Sequence, residues 1–485
     1  GAIKKSSNIL SVISLYVDDK AIDFLAEKGY SEKYNVVVGS MGRWGMTRID
    51  DNGDVIPEAL QNDLNLIEAA SIIGCPVYNC GVNYIDGKSF YENCNIAIDY
   101  LGKLIDFAKE KNVKIAVYNC RWENFVVEPK VWEIVLSALP ELGIKYDISH
   151  CIYHDGDYLA EMRDDIKEVL EAGKFGVTAE MAPPKGYDFT EQMEAAELLK
   201  GKVHGINVTD MQSACLKATG LGLCIKLKQA GCEPIIQMTG RDRNRMAIMG
   251  DALAAAAFGI DTMLALTGDH PVCAGGDCKD AKPVYDLDSV GILRMLSQME
   301  ETGRDCGGNP LAGNVVDKET GEITDKSATP KFYKGASVTP VYEPVFLQIN
   351  KLRQKVEAGA MYIQTQGIFD LDTFKRFLEQ VDKAGIKTHI MAGIIPLKAA
   401  GMAKYMNENV PGIDVPQHMI DKLAAAAAEG KEKGIKGLPA KLGIEMAAEM
   451  IAEIKAQGLG AGVHIMAIGA EKNVPTILEK AGLSI

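Results

Sequence analysis

From Asn8 onwards, short apolar runs alternate with amphipathic stretches of helical length, and this rhythm constrains the fold more than any single motif. Before residue 165 the runs are "NILSVISLY" (Asn8–Tyr16), "NVVVGSM" (Asn35–Met41), "CPVYNCGV" (Cys75–Val82), "VKIAVYNC" (Val113–Cys120) and "IKYDISHC" (Ile144–Cys151). Helical patterns at Ala59–Ile73, Ala97–Lys111 and Pro129–Leu142 separate them. Parallel neighbours need a crossover of about a dozen residues, usually a helix, so the alternation predicts βαβ units and a parallel sheet. Five such units fall short of the eight that close a barrel.

The alternation then starts again. Candidate strands are Lys174–Met181, Val203–Asp210, Glu233–Gly240, Asp261–Gly268, Phe332–Pro340, Met361–Gln366, Lys387–Ile394 and Gly462–Gly469. The fold class is therefore α/β: a C-terminal (β/α)8 TIM barrel over 165–485, preceded by a partial (β/α) barrel-like segment over 1–164. The Ala-rich "KLAAAAAEGKEKG" (Lys422–Gly434) belongs to an elaborated last crossover, and Asn309–Ala328 reads as a mobile surface loop.

Composition narrows the partners. Lys+Arg 52 against Asp+Glu 66 leaves a net charge of −14, which disfavours nucleic acid and anionic membranes but allows a local basic pocket. No apolar run reaches the roughly 20 residues of a membrane helix. Eleven cysteines without a Cys-x-x-Cys pair predict reduced thiols and a cytoplasmic protein.

In such barrels the chemistry sits where strands end. Glu180, Thr209, Gln237, Thr239, Asp269 and Gln366 stand at those ends and would converge on one mouth. Each could instead cap its own strand. In "LALTGDHP" (Leu264–Pro271) a buried run stops at the carboxylate of Asp269, the kind of strand end where an α/β barrel keeps its chemistry. "TGRDRNR" (Thr239–Arg245) is a basic turn opening a helix, so Arg241 and Arg243 could serve a pyrophosphate or pair with the neighbouring aspartates.

The blocks "VTAEMAPPKG", "QMTGRDRNR", "LALTGDHP", "KPVYDLDSV", "VEAGAMYIQTQGIFD" and "IMAGIIP" resemble, in order, those of the methylenetetrahydrofolate reductase family. The resemblance implies FAD bound at the strand ends and hydride transfer to 5,10-methylenetetrahydrofolate, giving 5-methyltetrahydrofolate. It implies Glu180 as the acid that protonates the departing ring nitrogen. Asp269 is implied as the carboxylate beside the resulting cation. Gln366 and Tyr405 are implied on the folate, and Thr209, Gln237, Thr239, Thr267, Gly268, Asp269, Asp286 and Lys355 at the flavin. The sequence departs from the family at Gln237, where a histidine is usual, at Thr267 and Gln354, where arginines are usual, and at Gly367-Ile368. These departures leave open whether NAD(P)H or an electron-donor protein subunit reduces the flavin. An oligomer is expected.

"VVVGSMGRWGMTRIDDNG", "GCPVYNCGVNY", "YNCRWENF" and "GIKYDISHCIYHDGDY" resemble the sugar phosphate isomerase/epimerase family. That resemblance implies Asp147 and His150 as two ligands of a divalent metal, with Tyr118 where a ligand glutamate is common. It stops near Met162-Arg163-Asp164. The N-terminal part is thus either a metal-dependent isomerase or a non-catalytic docking module.

Overall fold

The computed structural model describes residues 11–16, 36–146, 164–272 and 280–483. The chain divides into two compact units, Gly1–Glu161 and Met162–Ile485. In the first, β1 (Ser11–Tyr16), β2 (Val36–Gly42), β3 (Val77–Cys80), β4 (Lys114–Tyr118) and β5 (Gly143–Lys145) form one parallel sheet in sequence order. The crossovers α1 (Pro57–Ile73), α2 (Phe90–Glu110) and α3 (Pro129–Ala138) lie close to the predicted helices. α2 starts behind a capping box, in which Ser89 Oγ accepts from Glu92 N and the Glu92 carboxylate accepts from Ser89 N.

The core of this unit holds a charge pair. Asp63 on α1 accepts from Arg48 Nε at 2.7 Å and Nη2 at 3.2 Å, and from the hydroxyls of Tyr78 and Tyr100 at 2.8 Å each. Arg48 spends its remaining donors on the carbonyls of Met46 and Arg43. All four side chains are fully buried, and a buried pair is tolerated only when its lone pairs and protons are matched in this way. Burial, with Asp63 beside it, pushes the Tyr78 phenol far above its usual range.

The second unit is a closed barrel. Its strands are β6 (Gly176–Met181), β7 (Gly205–Val208), β8 (Pro234–Thr239), β9 (Thr262–Leu266), β12 (Tyr333–Val338), β13 (Tyr362–Gly367), β14 (His389–Ile394) and β15 (Gly462–Ile465). All pairs are parallel, and β15 pairs back onto β6. The outer helices include α4 (Ile166–Glu171), α5 (Thr190–Leu199), α6 (Gly220–Gln229), α7 (Arg245–Ala257), α8 (Ser289–Thr302), α9 (Val345–Glu357) and α10 (Leu371–Lys383). Between β14 and β15 the crossover carries α11 (Ala400–Asn409), α12 (Gln417–Lys433) and α13 (Leu438–Ala456), and α14 (Val474–Lys480) follows β15. The Ala-rich segment does form part of that enlarged crossover.

Strand side chains alternate between two environments. Val177, Ala179, Met181, Ile206, Val208, Ile236 and Met238 pack outward in the layer shared with the helices. Their neighbours Thr178, Glu180, Asn207, Gln237 and Thr239 therefore face the lumen. The floor of the lumen is apolar: Ile235, Leu264, Tyr333, Tyr362 and Met391 pack with Ile166 and Leu170 of α4, which closes that end. Tyr362 stacks on Tyr333 at 5.2 Å and donates to Met263 O at 3.1 Å.

The segment Asn309–Ala328 departs from the loop expected of it. It holds a small antiparallel hairpin, β10 (Val315–Val316) with β11 (Ile323–Asp325). Asp317 fixes its turn by accepting from Glu319 N, Thr320 N and the Thr320 hydroxyl. An Asx turn of this kind is hard to tell from open loop in a mostly polar run.

Glycine is required at 335. A Cβ there would lie 2.3 Å from Cζ of the immobile Tyr362 ring. Gly335→Ala is expected to lower stability by ~1–3 kcal/mol, as overpacking a tight core does, read as a fall in the urea midpoint.

Candidate active site

The lumen-facing positions near the strand ends assemble a polar layer above the apolar floor. Glu180 on β6 is largely buried, its side chain 12% exposed, and its Oε2 lies 3.7 Å from His464 Nε2 on β15. The other ring nitrogen, Nδ1, is 2.9 Å from the Thr178 hydroxyl. Gln364 Nε2 donates to Thr178 Oγ1 at 3.3 Å and to Asn207 Oδ1 at 3.2 Å, while Asn207 Nδ2 donates to Gln364 Oε1 at 2.7 Å. β7 and β13 are not neighbours in the barrel, so this amide pair bridges the lumen itself. Buried amides of this sort persist because each donor finds an acceptor.

Glu180 was legible in the sequence; His464, Thr178, Asn207 and Gln364 were not singled out. The available signal was the period-2 pattern: a lone histidine in "GVHIMAIG" and Asn207 sharing a face with Thr209 in "VHGINVTD".

A second polar cluster ties the ends of β7, β8 and β9. Asp210, with a fully buried side chain, accepts from Thr239 N and Oγ1 at 2.9 Å each and from both terminal nitrogens of Arg243 at 2.5 and 3.1 Å. Arg243 also reaches Asp251 at 2.8 Å. Arg241, 2% exposed, pairs with Asp242 and donates to Asp269 O at 3.1 Å and Met211 O at 2.9 Å. Both arginines are thus paired with carboxylates. Gly268 has φ +88°, and a Cβ there would be 2.9 Å from Arg241 Cβ. The loop can pass Arg241 only without a side chain at that point.

The remaining candidates fall into different settings. Thr267 lies against the start of α8, its hydroxyl accepting from Ser289 N at 3.2 Å. Asp286 binds Arg245 through N, Nε and Nη2, and those hydrogen bonds pull its carboxyl down to about 2. The Asp269 side chain is exposed and has no hydrogen bond among the described residues, while its carbonyl is held by Arg241. Gln366 lies at the end of β13, with Oε1 accepting from Gly367 N at 3.3 Å. Tyr405 is 61% exposed on α11. Asp147 and His150 lie outside the described residues. Tyr118 is buried on β4 and donates to Trp122 O at 3.2 Å. Among the described residues no group of three His, Cys, Asp or Glu could hold a metal ion, and no helix is long and apolar enough to cross a membrane.

The family pattern described as methylenetetrahydrofolate reductase matches residues 165–304 and 335–482, which together carry seven barrel strands whole and all but the first two residues of β12. The chain belongs to the methylenetetrahydrofolate reductase family. A second pattern, a xylose isomerase-like TIM barrel, matches residues 17–212. A probable methylenetetrahydrofolate reductase (NADPH) of Caenorhabditis elegans is 25% identical over 261 residues, 53% of this chain and 33% of that protein. Methylenetetrahydrofolate reductase (NADH) 1 of Arabidopsis thaliana is 25% identical over 331 residues, 66% of this chain and 50% of that protein. The chain thus spans a third to a half of the length of these relatives. A solved structure of an uncharacterized protein from Clostridium thermocellum, which binds two copies of 5-methyl-5,6,7,8-tetrahydrofolic acid, aligns at 13% identity with a TM-score of 0.42. It covers 66% of this chain and 100% of that one.

Which groups of this methylenetetrahydrofolate reductase-family barrel could hold a flavin dinucleotide follows from what is left unmatched. The Thr209 hydroxyl, at the end of β7, is buried and has no hydrogen-bond partner. Lys355 on α9 donates to Ser337 O at 2.5 Å, at the end of β12, and has no carboxylate in salt-bridge contact among the described residues. Burial lowers its pKa to about 8, nearby Lys351 adds to the effect, and Asp288 opposes it. A half-buried ammonium with no carboxylate in contact and an orphaned hydroxyl suit a ligand with an anionic group and hydrogen-bonding edges.

Lys355 gives a prediction with a definite sign. An anion bound beside it favours the charged form, so above pH about 8 binding must take up a proton. FAD affinity is expected to fall as pH rises through that value, by up to about tenfold per unit, and Lys355→Gln should bind FAD more weakly with that slope gone. Fluorescence titration of FAD across the range checks both. In the unliganded protein the depressed value disfavours the fold while the lysine is charged, and this penalty fades as pH rises from about 8 towards the ordinary 10.5.

Proposed function

We propose that this protein reduces 5,10-methylenetetrahydrofolate to 5-methyltetrahydrofolate, with Glu180 and Asp269 as its two working carboxylates. The observation that carries this reading is the family match across the whole barrel, whose lumen holds Glu180 near the mouth. FAD, when bound, would supply the hydride; its own electrons would come from NAD(P)H or from an electron-donor protein subunit.

The substrate's five-membered ring must open before its one-carbon bridge can accept hydride. Opening needs a proton on the departing nitrogen, which Glu180 delivers from its largely water-free position. The cation left behind is met by the carboxylate of Asp269, whose backbone Arg241 holds in place. Arg241 fixes the backbone from which that carboxylate projects, which limits the reorganisation needed as charge develops. The Gln366 amide can donate to and accept from the pterin edge, which fixes the ring's orientation. Thr209 and Lys355 would hold the flavin through its polar and anionic groups.

The two carboxylates are expected to fail differently. Glu180→Gln keeps size and hydrogen bonding but cannot release the proton, so folate reduction should collapse while reduction of the flavin by dithionite continues. Asp269→Asn removes the charge facing the cation, and folate turnover should fall by ~10²–10³. It should also shift the flavin potential. Stopped-flow of the two half-reactions separates these cases. If Glu180→Gln slows both half-reactions equally, or reduces folate normally, the proton donor is another group.

A further inference from the structure

The polar layer below Glu180 is a directed chain of hydrogen bonds. Asn207 and Gln364 exchange two amide bonds across the lumen, Nδ2 to Oε1 at 2.7 Å and Nε2 to Oδ1 at 3.2 Å. Turning one amide over would set like against like, so the pair can reverse only as a unit, and in this structure it presents Gln364 Nε2, not Oε1, to Thr178. The same Gln364 nitrogen also reaches Thr178 Oγ1 at 3.3 Å. An amide nitrogen only donates, so the Thr178 oxygen accepts there, and the one other partner of this buried hydroxyl among the described residues, His464 Nδ1 at 2.9 Å, is left to take its proton. A neutral imidazole that accepts at Nδ1 carries its proton on Nε2. Nε2 is the nitrogen 3.7 Å from Glu180 Oε2. All four side chains of the chain are buried, Thr178 and Asn207 at 0% and Gln364 and His464 at 2%, so water does not scramble the order.

We propose that the Asn207–Gln364 pair, acting through Thr178, fixes the tautomer of His464 so that its Nε2–H faces Glu180, and that His464 is thereby a positioning residue for the acid. The proposal rests on Glu180 being the proton donor. Once Glu180 has released its proton, its carboxylate faces a donor; the other tautomer would present a lone pair and repel it. The separation of 3.7 Å is longer than a hydrogen bond, so the contact acts electrostatically until the carboxylate turns towards the ring.

Ring-labelled [15N]histidine in the full chain reads the tautomer directly, with the His464 resonances identified by their loss in His464→Gln. The expected pattern is a pyrrole-type Nε2 and a pyridine-type Nδ1. Thr178→Val, which loses only the hydroxyl function, should abolish that preference and slow the folate half-reaction about tenfold, part of the 10²–10⁴-fold a positioned acid contributes. Flavin reduction by dithionite should keep its rate, and Thr178→Ser should restore both the tautomer and the folate half-reaction. Should Thr178→Val fail to fold, Thr178→Ala makes the same comparison. A proton on Nδ1 in the unsubstituted protein overturns the proposal, as does a tautomer that Thr178→Val leaves unchanged. A tautomer that shifts while folate reduction keeps its rate overturns the positioning role, even where Glu180→Gln has abolished turnover.

Discussion

Closing eight parallel strands on themselves sends every second side chain into a space that has to be filled, and much else in this barrel follows from how it is filled. The floor is solved with bulk: the stacked rings of Tyr333 and Tyr362, with Gly335 leaving room for the second, and α4 pressed in from below. Higher up, the same alternation brings in Thr178, Asn207, Gln364 and His464. Polar groups there are affordable only because they satisfy one another, and the two amides do so by reaching across the lumen. Glu180 stands at the upper end of that network, shielded from water on the side away from the mouth.

The strand-end loops obey a separate rule, the matching of buried charge. Asp210 draws Thr239 and Arg243 onto itself, and Arg241 holds the carbonyls of Met211 and Asp269 while paired with Asp242. One arginine thereby sets the path of two loops that carry site residues. Arg241 and Arg243 are paired with aspartates at the mouth, whereas Lys355 has no carboxylate in contact among the described residues.

The N-terminal unit applies the same rule in its own core, where Asp63 takes four hydrogen bonds from Arg48, Tyr78 and Tyr100. That cluster joins β3, α1, α2 and the segment after β2 within one unit. Tyr118, at the position where the isomerase resemblance has a ligand glutamate, turns its hydroxyl to the Trp122 carbonyl instead of offering a carboxylate.

The sequence by itself determined the strand–helix alternation, the eight barrel strands and the ends at which Glu180, Asp269 and Gln366 stand. Hydrophobic period and turn residues are local properties, and they survive in one dimension. It could not show that Asn207 and Gln364 meet, because they are far apart in the chain and on strands that do not pair. Nor could it say which aspartates Arg241 and Arg243 would meet, since Asp242 is a chain neighbour but Asp210 comes from another strand end. The hairpin in Asn309–Ala328 stayed hidden because one aspartate's three hydrogen bonds, not an apolar pattern, fix its turn. What the tertiary structure decided, in each case, was the pairing of polar groups: a side chain's type says what it can bond to, and only barrel closure says which partner is within reach.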